Sequence, residues 1–246
     1  KIPTIPSPKR EVNFNLKAAA AFNQSPLSKP STQREVKQII DEQKKAQENI
    51  KGFYRENITD IVVEAQSKGI EVLLIAPVSR LDSPPMDGVH WTELNDNELL
   101  EFQTLWLELQ KAPPPFEDHR WLKALDLSKN YAPLAHAYAQ AAWLDGKQNI
   151  AIEYWRIAQN YAPPSRSIRA GDPMGDWVIE TGKKLKVPVI DPRVHFRQSA
   201  EIIDIPAGGL FLDALHFTSR GAKIISQLSI DVMEKELWIP APNPVH

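Results

Sequence analysis

The sequence contains no cysteine, and that one absence removes several chemistries at once. Disulfides, thiolate metal sites and a cysteine nucleophile are all excluded. An excess of charge of one sign is missing too: 29 basic residues stand against 31 acidic ones, a formal net charge of −2 over 246 residues. No overall field therefore draws the chain towards nucleic acid or an anionic membrane surface. No apolar run approaches the roughly 20 residues that a membrane-crossing helix needs. There is no glycine-rich phosphate loop. His90, His119 and His136 are scattered without metal-ligand spacing, so neither a metal nor a cofactor is expected.

What is present is the composition of a globular protein, 42% hydrophobic and 24% charged, enough for one sizeable core or a core with a small satellite. The first residue is lysine and no signal-type apolar stretch follows it, so the chain reads as cut at its front. Any signal or membrane anchor would lie in that missing part, so the residues present leave the location open.

Residues 1–31 are rich in Pro, Lys, Ser and Asn and read as a tail or linker, with one short helical candidate at 14–22. Thr32 and Glu35 then form a capping-box pattern that opens a helix. Its apolar positions (Val36, Ile39, Ile40, Tyr54, Ile58, Ile61 and Val62 among them) recur near helical period. Gly69 is placed to close this helix and Gly52 to break it in two. Next comes Ile70-Glu71-Val72-Leu73-Leu74-Ile75-Ala76-Pro77, a short apolar run that reads as a buried parallel strand. Val187-Pro188-Val189-Ile190-Asp191-Pro192, after a helix at 177–185, repeats the same grammar. Helix–strand alternation of this kind predicts an α/β domain with a parallel sheet covered by helices. Two strands cannot cover their own faces, so part of the sheet is expected to be missing. On this reading residues 32–82 and 166–246 make the α/β part, and 83–165 form a helical insert.

Within the insert, Asn95 and Glu98 make a second capping-box pattern ahead of Leu99, Phe102, Leu105 and Leu109. Asn130-Tyr131-Ala132-Pro133 recurs as Asn160-Tyr161-Ala162-Pro163, and the stretch 135–163 resembles a single tetratricopeptide repeat. Small residues Ala139, Ala151 and Ala158 allow close helix approach, Gly146 turns the chain, and Trp155 fills the groove. One repeat cannot form a superhelix and must lean on the main body.

The stretch that carries chemistry is Gly208-Gly209-Leu210-Phe211-Leu212-Asp213-Ala214-Leu215-His216-Phe217-Thr218-Ser219-Arg220-Gly221. A spacing of three places Asp213 and His216 on one side of a tight turn. A carboxylate beside an imidazole fixes its tautomer, and the free Nε2 then takes a proton from a serine hydroxyl. Alone, the same pattern also fits a capping aspartate beside a surface histidine. Gly221 stands where the following helix, 222–237, must begin close to the loop.

This block, following a strand and preceding a helix with an early glycine, resembles the closing block of the SGNH (GDSL) hydrolases, which supplies the family's triad Asp and His. The likeness runs back to the helix 53–69 and the strand ending Ala76-Pro77-Val78-Ser79, over roughly residues 47 to 235. The tetratricopeptide-like insert is similar to that of a bacterial subgroup whose members often have an N-terminal membrane segment, a resemblance that would fit an extracytoplasmic or membrane-anchored site. The resemblance implies a flavodoxin-like three-layer α/β fold and a serine esterase acting on a small-molecule, carbohydrate or lipid ester, with Asp213 and His216 catalytic. The family's Gly-Asp-Ser nucleophile block and its oxyanion Gly and Asn are not present; the nearest string, Gly171-Asp172-Pro173, has proline in the serine's place. The serine is expected upstream of Lys1, and a degenerate, non-catalytic domain is the rival explanation. Ser79 and Arg80, after the first strand, are candidate substrate-binding residues. Arg166, Arg169 and His195 are weaker candidates. Two other functions fit the same residues: O-acyl transfer to an alcohol, or a protein-interaction module whose hairpin exposes a groove lined by Tyr138, Tyr154 and Trp155.

Overall fold

A computed structural model describes residues 33–85, 88, 92–162, 171–201, 209–236 and 238–239. The proposed helix at 14–22, the cap residue Thr32, and His90, Arg166 and Arg169 lie outside these residues. The first helix, α1 (Gln33–Ser67), runs unbroken through Gly52. A mid-helix glycine costs only about 1 kcal/mol relative to alanine, which a 35-residue helix absorbs. Its end follows the expected chemistry: Gly69 adopts φ +69°, and the Gly69 and Ile70 N–H groups cap the carbonyls of Gln66 and Ala65. Tyr54 meets Trp177 edge-on at 6.2 Å, and Arg55 pairs with Glu180, fixing α1 along α6 (Asp172–Leu185).

The expected strands shrink to two residues each, β1 (Leu74–Ile75) and β2 (Val189–Ile190). They pair in parallel, Leu74 opposite Val189 and Ile75 opposite Ile190. Flanking bonds run from Leu74 N–H to the Pro188 carbonyl (3.0 Å) and from Ala76 N–H to the Ile190 carbonyl (2.8 Å). Pro77 and Pro192 follow the two strands and have no N–H with which to continue the ladder. Among the described residues the sheet has only these two strands, against eight helices. The architecture is therefore mostly helical, and the three-layer flavodoxin-like α/β fold is not what the chain adopts: a sheet this narrow has no faces wide enough to carry a helical layer on each side. One face is nevertheless tightly covered, because a Cβ at Gly182 of α6 would sit 2.0 Å from the Val189 side chain. On the other face Ile190 is buried and Ile75 is 41% exposed.

The insert is formed by α2 (Asp96–Lys111), α3 (His119–Ser128), α4 (Ala132–Leu144) and α5 (Gln148–Asn160). The Asn95–Glu98 capping box opens α2 as its spacing predicts. Phe102, Trp121, Leu134 and Tyr138 make the largest core of the molecule. Ala139, Ala151 and Ala158 have no exposed surface, so α4 and α5 pack backbone to backbone, and Gly146 turns between them at φ +77°. The aromatic groove is not formed. Tyr138 and Trp155 are 6% and 3% exposed; Tyr154 stands edge-on to Tyr138 and Trp155 lies against Trp143. These rings are the hairpin's own core, where a fully buried aromatic is worth the most.

After β2, α7 (Pro192–Glu201) and α8 (Ser219–Lys235) complete the helices among the described residues. A small core of Phe196, Leu210 and Phe211 joins them, with Val78 and Phe217 packed against it. The candidate site sits on this core.

Candidate functional site

The loop that carries Asp213 and His216 is tied at its base. Phe211 and Phe217 form an antiparallel bridge, Leu212 N–H donates to the His216 carbonyl (2.7 Å), and Thr218 N–H donates to the Leu210 carbonyl (2.9 Å). The rings of Phe196, Phe211 and Phe217 stack around one another at 5.1–5.5 Å between centroids. Thr218 links loop to helix: its hydroxyl donates to the Gly209 carbonyl (2.9 Å) and accepts from Gly221 N–H (3.2 Å), capping α8. A Cβ at Gly221 would meet the Leu210 carbonyl oxygen at 2.3 Å, so only glycine lets the helix start this close to the loop.

On that base the two side chains meet. Asp213 Oδ1 accepts from the backbone N–H groups of Leu215 and His216, each at 2.8 Å, and Oδ2 lies 2.7 Å from His216 Nδ1. One oxygen of the carboxylate thus caps the turn while the other meets the imidazole. The His216 N–H, then the Leu215 N–H, then the imidazole hold the Asp213 carboxyl well below the usual range for an aspartate. It therefore stays ionised and acts only as an acceptor. In the neutral imidazole Nδ1 must then carry the hydrogen and Nε2 the lone pair. Nε2 has no hydrogen-bond partner among the described residues, and the side chain is 76% exposed. This arrangement can accept a proton from an alcohol brought to it, then return that proton to a leaving group.

The other sequence candidates fall into supporting positions. Arg80 donates its backbone N–H to the Ala214 carbonyl (3.0 Å), which places the segment leaving β1 directly beside the Asp213–His216 turn. Its guanidinium, however, forks Asp82 at 2.6 and 2.8 Å. Ser79 is 6% exposed and accepts a 2.7 Å bond from the Gln159 amide. Both residues fix the loop through these bonds. His195 is on the exposed side of α7. Asp172, of the Gly171-Asp172-Pro173 string, begins α6 and binds Arg156 at 2.9 Å.

Sequence reasoning missed Gln159 and Arg193. Gln159 lies 80 residues from Ser79, and no local spacing signals the bond. Arg193, nearly buried behind β2, donates to Asp191, Asp176 and the Asp172 carbonyl at 2.7–2.8 Å. Those acceptors, Asp191 first, raise its already high pKa further. The pattern Asp191-Pro192-Arg193 directly after a strand was the available signal. No family model, curated protein or solved structure matches the chain. The chemistry of the loop is accordingly that of its own atoms.

Proposed function

We propose that Asp213 and His216 are the orienting carboxylate and the general base of a serine-type carboxylic-ester hydrolase. The observation that carries this reading is the 2.7 Å contact from Nδ1 to a carboxylate pinned by two backbone N–H groups, opposite an Nε2 that has no partner among the described residues. In this scheme Nε2 removes the proton of a serine hydroxyl as its oxygen attacks the ester carbonyl. The imidazolium so formed, stabilised by Asp213, then protonates the departing alcohol. The same base next activates water, which releases the acid and regenerates the serine. The serine and the oxyanion donors are supplied by polypeptide upstream of Lys1, as the likeness of the closing block to that of the SGNH hydrolases implies.

The test is turnover of a short-chain aryl ester by the polypeptide that includes that upstream serine. His216→Ala should lower turnover by roughly 10² to 10⁴, the usual worth of general acid–base catalysis, and leave the circular dichroism and thermal midpoint unchanged. Undiminished turnover in a folded H216A protein overturns the assignment.

A further inference from the structure

A concavity apart from the Asp213–His216 turn lies in the insert, lined by residues 84–85, 106–121 and 133–145. It has a volume of about 640 Å³, well inside the roughly 300–1,000 Å³ of small-molecule sites. One wall is the end of α2 with Trp106 and Leu109, the opposite wall is the face of α4 with Ala137 and Ala141, and Pro84 and the turn Pro113–Pro115 close the ends. Two features keep this space open. The proline rings have fixed φ and no side-chain rotamer that could swing inward, and the turn is pinned by Trp121 Nε1–H, which donates to the Pro114 carbonyl at 3.4 Å. On α4 two of the lining positions, Ala137 and Ala141, are alanines, which leaves room beside the larger Pro133, His136, Gln140 and Leu144. The cavity is preformed and apolar, and filling it removes hydrocarbon surface from water.

Its polar groups define the occupant. Gln110 and Gln140 offer amides that donate and accept, His136 an imidazole whose Nε2 lies 3.0 Å from the Asp82 carbonyl, and Asp145 an exposed carboxylate 3.9 Å from Lys147; no lysine or arginine is among the described lining residues. An anionic head group entering here would approach the Asp145 carboxylate, and no lysine or arginine among the described lining residues would pair with it. An uncharged head with one hydroxyl or ester carbonyl is matched by the amides.

We infer that this pocket binds an uncharged aliphatic molecule, the class of a medium-chain alcohol or its ester, with the chain between Trp106 and Ala141. This site stands whether or not His216 performs catalysis. The experiment titrates decanol and, separately, decanoate below its micelle concentration into the intact chain, following tryptophan fluorescence. Saturable decanol binding is expected, with decanoate at least about tenfold weaker. Ala141→Trp fills the cavity and should weaken decanol by about tenfold or more at an unchanged thermal midpoint; Ala137→Leu serves the same purpose should that variant not fold. Absence of a saturable decanol signal, equal binding by the filled variants, or decanoate binding as tightly as decanol overturns the inference.

Discussion

The two oxygens of Asp213 are not equivalent, and a single-atom exchange separates their roles. In Asp213→Asn the remaining oxygen keeps the Leu215 and His216 N–H groups, which Oδ1 now holds at 2.8 Å. The new NH₂ then faces Nδ1 and can only donate, so the imidazole hydrogen moves to Nε2. The expected result is a change of tautomer in the ¹⁵N spectrum of His216 and, on the proposed esterase reading, turnover of a polypeptide that includes the upstream serine reduced by about 10⁴, as asparagine does in the serine-protease triad. An unchanged tautomer would show that the carboxylate does not orient the ring. The same carboxylate sets a pH dependence. Its folded pKa lies below the unfolded value of about 3.9, so the folded loop binds fewer protons than the open one. The stabilisation is therefore complete above about pH 4 and is lost as pH falls through the folded pKa. Amide exchange at Leu215 and His216 should accelerate selectively in acid, once the intrinsic rate is divided out. This pair was legible in the sequence because three residues of spacing and one turn decide its geometry.

Elements were legible where their signals are local. The Asn95–Glu98 box, the Gly69 terminus and the Gly146 turn depend on a few adjacent residues, and each stands where its spacing puts it. The strands depend on partners. The run 70–76 has strand composition throughout, yet only Leu74 and Ile75 find a neighbour to pair with. The aromatics of the hairpin failed for a related reason: periodicity tells which side of a helix is apolar but not whether another helix covers it, and Tyr138 is covered by Phe116, Trp121 and Tyr154. At this scale Gly221 is the most exacting position. Gly221→Ala puts a methyl 2.3 Å from a backbone oxygen that cannot rotate away, so α8 must withdraw from Leu210. A loss of about 1–3 kcal/mol is expected from such overpacking, read by denaturant unfolding, together with weakening of the Asp213–His216 contact. Gly52→Ala, with nothing within 4 Å of its Cβ, should instead stabilise α1 by about 1 kcal/mol. If both alanines behave alike, close approach at Gly221 is not what holds the loop.

Three long-range bonds give the molecule its connection between insert and site. Gln159 of α5 donates to Ser79 at 2.7 Å, His136 Nε2 of α4 lies 3.0 Å from the Asp82 carbonyl, and Arg80 N–H donates to Ala214 at 3.0 Å. The segment 79–82 is thus held by the helical insert on one side and holds the Asp213–His216 turn on the other. None of this was visible in the sequence, since the partners lie 54 to 134 positions apart and polar residues in a loop carry no address. The insert, on this geometry, braces the Asp213–His216 turn. Gln159→Leu removes the donor from a buried pair and should cost about 1–3 kcal/mol. The informative readout is elsewhere: the Arg80 amide, whose acceptor Ala214 sits between Asp213 and His216, should exchange faster in Gln159→Leu even though neither Arg80 nor Ala214 has changed. Ser79→Ala should raise the same rate, and the double variant should add little, because both changes cut one link. Additive effects would mean that Ser79 and Gln159 steady the loop separately. An Arg80 amide that stays protected while α4 and α5 loosen would mean that the insert is carried by the site without supporting it.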